Sequence, residues 1–511
     1  MSPASLSFLV LLAIALPVYF LIPKKGRTAF LLLAGAVFYA FSPRPWTLVF
    51  VLLNIFVTHF SARSMAGCEG GEGRKKAGWL LFWGLFCDIG ILAVLKYSGF
   101  FIGIWNGLAG FIAPSAVLPV PVFPAPMGIS FYTLISAGYL LDCYWGIISP
   151  NGSILKTGLF IGFFPQLTSG PITRLPEVEG TLFEGGAFEW KRIIFGAERI
   201  LFGFFKKFVI ASRASILVDA VYRDPDGHPG IYIWTAAFLF MLELYADFSG
   251  CMDIVLGAAE CFGIRLPENF RNPFFSRTVQ EFWQRWHITL GVWMRDYVMY
   301  PILRSSFVRS LKKRLKEPLG RKGAERAATY FAMSVLWFLI GLWHGGGWNY
   351  IGEGIYFCCC IIAGDLLSAR AHRLWKRLGV DESSFGWHFL QSVKVFLLVA
   401  VGNMFFRIQG LRRVFHVMRL GLSVFNPWVL FDGSVPEMGL SHGDINILIL
   451  GVLLLFAAGW IRERRGSVRE WLSRQVLPFR YLLIIGLFYF TLIYGVYGPG
   501  FESAAFIYEK F

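Results

Sequence analysis

The sequence predicts an all-α, polytopic integral membrane protein. Three observations carry that prediction. Apolar residues make up 56% of the 511-residue chain and charged residues only 16%, against about 25% charged in a soluble domain. Mean hydropathy is +0.57. Apolar runs of about 20 residues, the length needed to span a bilayer, recur from end to end, giving roughly ten to twelve helices, some short or broken enough to be re-entrant.

Taken in order, the first helix covers residues 5–22. It lacks a basic leading segment and a small-residue cleavage site, and Lys24, Lys25 and Arg27 follow it. It therefore reads as a retained helix with its N-terminus outside. A hairpin (29–42, 47–60) returns to a basic loop at 62–76. Further basic loops are expected at 312–326, 370–377 and 462–474. An even number of crossings must separate successive inside loops. Segments 328–342 and 350–367 supply two, and they place His344 toward the outer end of its helix. Residues 119–126 with 127–140, 162–171 and 269–275 are broken by proline or polar turns and read as re-entrant. No polar stretch is long enough to fold alone, so 1–511 reads as a single membrane-embedded domain, with its signature region at about 127–368.

The net charge is +16. The basic residues fall in short loops between apolar runs, which is the positive-inside pattern and not a nucleic-acid-binding surface. A secondary attraction for an anionic donor or lipid headgroups is compatible with it. The eight cysteines show no metal-ligand spacing and read as small buried hydrophobes; no metal is expected. Walker, GxGxxG, GxSxG and HExxH motifs are absent.

Two histidines stand out. Ionisable groups in membrane-type segments are costly and usually functional. His287 lies in FWQRWHITLGVW and His344 in VLWFLIGLWHGGGW. Over an expected helix at 279–300, spacing by four puts Trp283, His287 and Gly291 on one face. Glu281 and Arg285 form an acid-first i,i+4 pair, and Arg295 precedes Asp296. Trp337, Gly341 and His344 share a face of the next helix, and the Gly345–Gly347 break lets a ligand approach His344. Glu243 and Asp247 share a face too. They read either as an ion-coupling path or as partners of arginines such as Arg271, Arg285 or Arg295.

The run LPENFRNPFFSRTVQEFWQRWHITLGVWMRDYV (266–298) closely resembles the signature of the bacterial membrane-bound O-acyltransferase family, the group of alginate O-acetyltransferases and teichoic acid D-alanyltransferases. MGISFYTLISAGYLLDCYWG (127–146), FFPQLTSGPITR (163–174), YADFSGCMDI (245–254), GLWHGGGWNYIGEG (341–354) and AFIY (505–508) extend the resemblance in the family's order. It implies a ring of tilted helices around a central funnel. It also implies that His344 is the catalytic histidine and His287 its companion. The implied reaction moves an acyl group from a cytosolic thioester, acetyl-CoA or an acyl carrier, to hydroxyls of a cell-surface polysaccharide, with no bound cofactor. A hydrolase-fold partner outside the membrane completes the transfer, and the location implied is a bacterial inner membrane.

The chain departs from the alginate-type form after RDY, where VMYPILRSSFVRSL (298–311) replaces a Gly-rich basic stretch. That argues for a different surface polymer, while the length argues against the D-alanyl branch. On this reading neutral His344 takes the proton of the attacking hydroxyl. His287 polarises the carbonyl, orients the donor or protonates the thiolate. Trp343, Asn349, Trp283, Arg285, Arg295 and Asp247 are expected to line the substrate site. A lipid or polysaccharide transporter and a non-catalytic scaffold are the alternatives from other classes.

Overall fold

The computed structural model describes residues 2–68, 70–113, 116–497 and 506–507. It is helical, and among these residues the only β pairing is an isolated antiparallel bridge between Phe270 and Trp286. In chain order the helices are α1 (Leu6–Leu21), α2 (Lys24–Ala40), α3 (Leu48–Ala66), α4 (Gly70–Ile112), α5 (Ile129–Tyr144), α6 (Ile154–Gly162), α7 (Leu175–Glu184) and α8 (Trp190–Phe204). They continue with α9 (Ser212–Arg223), α10 (Ile231–Cys261), α11 (Val279–Arg285), α12 (Ile288–Met294), α13 (Tyr300–Arg304), α14 (Ser306–His344) and α15 (Trp348–Arg377). The last are α16 (Phe385–Arg407), α17 (Leu411–Ser423), α18 (Ser434–Glu437), α19 (His442–Arg465), α20 (Val468–Ser473) and α21 (Leu477–Tyr494).

Among the described residues eight helices are long and apolar enough to cross a membrane. That is fewer than the ten to twelve expected from runs of hydrophobicity. Part of the difference lies in α1, which is apolar but only 16 residues long. Large apolar side chains on α3, α4 and α21 point outward, as expected of a protein whose solvent is lipid.

The chain forms two compact units. The first comprises residues 1–207, 247–268 and 475–511. Here α3, α4 and α5 pack on one another. Polar groups hold them together: Thr58 Oγ1 donates to Asp88 Oδ2 at 3.0 Å and Ser136 Oγ to Asn54 Oδ1 at 2.5 Å. Such pairs tie helices where water cannot compete. From 163 to 171 the chain is non-helical, as its prolines predict, and wholly buried.

The second unit comprises residues 208–246 and 269–474. The basic stretch 312–326, expected as a loop, is instead helical. Helix α14 is capped by Ser305, whose hydroxyl accepts from Val308 N at 3.2 Å, and deviates only at Gly320 (φ +68°), after Pro318. Lysine, arginine and glutamate are strong helix formers, and an Arg321–Glu325 pair at 3.1 Å stitches one turn. Stretch 370–377 likewise closes α15, and 462–474 ends α19 and contains α20.

Candidate functional site

A further expectation that fails is the continuous helix over 279–300. Helix α11 stops at Arg285, and His287 is left-handed (φ +45°, ψ +50°). A non-glycine residue there is uncommon and held only by its surroundings. Two backbone links from the 269–275 segment provide the hold. Arg271 N donates to Arg285 O at 2.9 Å and Ile288 N to Asn269 O at 3.0 Å. The break rotates His287 off the Trp283 face, so Trp283, His287 and Gly291 do not share a helix face. Trp283 packs edge-on against Trp337 and Phe357 at 5.0 and 4.8 Å.

Asn269, which the sequence reading passed over as part of a turn, orients His287. Its Oδ1 accepts from Thr289 N at 3.1 Å and from Thr289 Oγ1 at 2.9 Å. Two donors on one atom identify it as the amide oxygen. His287 Nδ1, 3.2 Å from the same oxygen, is therefore the protonated nitrogen, and Nε2 carries the lone pair. Burial, and then the charge of His344, hold the His287 imidazole well below the usual histidine range, so it is neutral at physiological pH.

His344 ends α14 and is 5% exposed; His287 is 3% exposed. Trp343 joins them, with ring centroids 5.5 Å from His287 and 5.3 Å from His344. Phe406 covers His344 at 5.3 Å. The α14–α15 hairpin is glycine-closed. A Cβ on Gly341 would lie 2.4 Å from Tyr350 O, and one on Gly354 would lie 2.3 Å from Trp337 O. Only glycine permits that approach, as in close-packed membrane helices.

The other expected residues take these positions. Asn349 is buried, with Nδ2 donating to Phe405 O at 3.0 Å, which ties α15 to α16. Arg285 pairs with Glu281, as its spacing predicts, and with Glu463, each at 2.8 Å. Arg295 is half-exposed and pairs with Asp296 at 2.8 Å. Asp247 belongs to the first unit, where it is bound by Lys207 and accepts from Ile507 N at 2.8 Å. Asp253 is held there by Arg199 at 2.9 Å and Lys206 at 2.5 Å. Asp247 and Asp253 of α10 thus have basic partners, but not the arginines proposed from sequence. Lys206 and Lys207, adjacent to the apolar run of α8, were the missed signal. Of the closing AFIY motif, Ala505 and Tyr508 lie outside the described residues; Phe506 lies under the Lys207 ammonium, 4.7 Å from its ring centroid.

The geometry has counterparts among known proteins. A family model described as "MBOAT, membrane-bound O-acyltransferase family" matches residues 152–375, a span holding both histidines. The chain is 30% identical over 412 residues to "Probable alginate O-acetylase AlgI" of Pseudomonas syringae pv. tomato, covering 78% of this chain and 71% of that one. It is 28% identical to "Peptidoglycan O-acetyltransferase" of Helicobacter pylori, over 64% of this chain and 62% of the relative. To "Teichoic acid D-alanyltransferase" of Bacillus subtilis it is 27% identical, over 53% and 72%. With eight membrane-length helices, two buried histidines on one indole and this extent of similarity, the chain is a multi-pass membrane acyltransferase and belongs to the membrane-bound O-acyltransferase family.

Proposed function

We propose that this chain transfers an acetyl group from acetyl-CoA to a hydroxyl acceptor on the other side of the membrane, with His344 as general base. The acceptor is a cell-surface polysaccharide or an intermediary hydrolase-fold protein. The observation that carries the reading is the joint packing of His287 and His344 on Trp343. Two buried imidazoles packed on one ring support the reading of an acid/base pair. Acetyl is preferred over D-alanyl because the O-acetylating relatives align over more of this chain than the D-alanylating one does.

In the proposed reaction His344 removes the proton from the attacking hydroxyl. The new C–O bond forms, the C–S bond breaks, and the proton leaves on the thiol, so no net proton is consumed. Neutral His287, its Nδ1 proton held by Asn269 and its lone pair on Nε2, orients the donor by accepting a hydrogen bond, and the proton taken by His344 is returned to the departing thiolate. The pair contributes about 10²–10⁴-fold by acid–base catalysis, and bringing both substrates to one site adds proximity. The basic residues of α14 and of the α15 end support a cytosolic position for that side, and with it the reading of an inner-membrane protein with its N-terminus outside. A coupled transporter is disfavoured because Asp247, one of the two acids that would carry an ion path, is held in an ion pair with Lys207.

The test is thiol release from acetyl-CoA by purified protein in nanodiscs. His344→Ala should lower the rate by about 10²–10⁴-fold while the protein stays folded. Acetyl transfer at the wild-type rate in that variant would overturn the reading.

A further inference from the structure

Among the described residues, Asn272 and His287 are the non-glycine positions with positive φ, each at +45°. Such a backbone is held only by its surroundings, and the two residues flank one structure. The antiparallel bridge between Phe270 and Trp286 joins two arms of chain, 269–275 and 279–287. Asn269 holds the His287 end of this bridge.

Helix α19 holds the other end. Asn272 is 6% exposed. Its Nδ2 donates to Gly459 O at 3.1 Å and to Glu463 Oε1 at 3.0 Å, one turn apart on α19. Two acceptors identify that atom as the amide nitrogen. The same Glu463 Oε1 accepts from Arg285 Nη1 at 2.8 Å. One carboxylate oxygen therefore receives a hydrogen bond from each arm of the bridge. Arg285 Nη2 also pairs with Glu281 Oε1 at 2.8 Å, and Glu281 Oε2 accepts from Arg277 N at 2.8 Å. The restraint thus runs on into the turn that links the arms. Apolar packing backs it: Phe274 stacks on Phe456 at 5.7 Å, and a Cβ on Gly459 would lie 3.0 Å from the Phe275 ring.

Glu463 is the one acid in the run Arg462–Arg465. Positive-inside patterning explains the arginines but gives no reason for a glutamate among them. Arg464 turns to the Trp460 ring, 4.6 Å from its centroid, whereas Glu463 turns to the bridge. A charged acceptor makes shorter hydrogen bonds, roughly twice as strong as neutral ones. The side chains of Arg285 and Glu463 are only 17% and 31% exposed, so water competes for them in part. The placement matters because a misplacement of about 1 Å can cost on the order of 10²-fold in rate.

We propose that Glu463 is a positioning residue for acyl transfer. By accepting from Asn272 and Arg285 it fixes both arms of the Phe270–Trp286 bridge against α19, and so sets where Asn269 presents His287. The inference rests on the acyltransferase reading above.

The test measures thiol release by protein in nanodiscs over a range of acetyl-CoA concentrations, with thermal unfolding of each variant. Glu463→Ala should lower kcat by about tenfold to 10²-fold, more than it raises the KM for acetyl-CoA. Glu463→Gln keeps an acceptor oxygen and should recover most of that loss. Asn272→Gly keeps the left-handed backbone without strain, removes the link to α19, and should lower kcat in the same direction; it decides the matter if Glu463→Ala does not fold. Asn269→Ala already frees His287 from the bridge. Adding Glu463→Ala to it should therefore change kcat by less than about threefold. Wild-type kcat in Asn272→Gly or in Glu463→Ala would overturn the proposal, and so would losses that multiply in the double variant. Equal losses in Glu463→Ala and Glu463→Gln, with equally lowered unfolding temperatures, would also overturn it, since that is a structural role. Failure of the acyltransferase reading looks different: wild type would then release no thiol, and the positioning role would fall with it.

Discussion

Asn269 Oδ1 sits 3.2 Å from His287 Nδ1 and takes two further hydrogen bonds from Thr289. One amide oxygen thus fixes both the tautomer of the imidazole and the turn that presents it. Asn269→Ala strands three buried donors, each costing about 1–3 kcal/mol, and frees the ring to move. It should lower kcat on the order of 10²-fold, the effect of about 1 Å of misplacement, and lower the unfolding temperature. Asn269→Asp retains the acceptor oxygen and should recover part of both, as steady-state kinetics and thermal unfolding would show.

The left-handed backbone at His287 separates its side chain's role from its conformational one. Asparagine tolerates φ near +45° better than most residues. His287→Asn should therefore fold like wild type yet lose acyl transfer, whereas His287→Val should also lose stability because a β-branched residue is strained there. If His287→Asn keeps wild-type transfer, the imidazole has no chemical part.

Burial, with His344 as the second cause, depresses the His287 pKa in the folded state. The unfolded state binds its proton near the ordinary value of about 6.5, so between that value and the lower folded one the unfolded chain holds more protons. Stability from this group is complete above about pH 6.5 and declines as pH falls below it. Unfolding temperature followed from pH 8 to 5 in detergent should show that decline, and His287→Gln should flatten it.

Gly341 faces Tyr350 O across the hairpin, where an added Cβ would be 2.4 Å away. Backbone cannot yield as a flexible side chain would, and overpacking of this kind costs about 1–3 kcal/mol. Gly341→Ala should therefore spread α14 from α15, displace His344 and abolish most activity. Gly364→Ala in the same α15 meets nothing within 4 Å and should be neutral or slightly stabilising. Equal activity in the two variants would refute a close-packing role for Gly341.

Lys207 and Asp247 are a buried pair, 6% and 2% exposed in their side chains. Lys207→Met alone leaves a buried carboxylate without that cation, at a cost of about 3–5 kcal/mol. Adding Asp247→Leu should recover much of the loss. A double-mutant cycle on unfolding temperature measures the difference, and a double variant no better than the single would show that the pair is not the source of the cost.

The membrane class, the order of the apolar segments and both histidines were legible in the sequence, because lipid demands long apolar helices and makes an ionisable residue conspicuous. The Glu281–Arg285 pair was legible as well, since i,i+4 spacing is local. The glycines after His344 announced a close approach, though not that Gly341 and Gly354, further off, are the ones that need it. Tertiary structure decided what depends on distant segments meeting. It broke 279–300 at His287, since residues 269–271 compete for the backbone that a helix would otherwise use. It assigned Asp247 to Lys207 rather than to an arginine of the 271–295 region. It extended α14 through a basic stretch whose charge suggested a loop but whose residues favour helix. Finally, it packed His287 and His344, 57 positions apart in the chain, against the one ring of Trp343. No local pattern encodes that meeting, because it is set by which helix faces bury together.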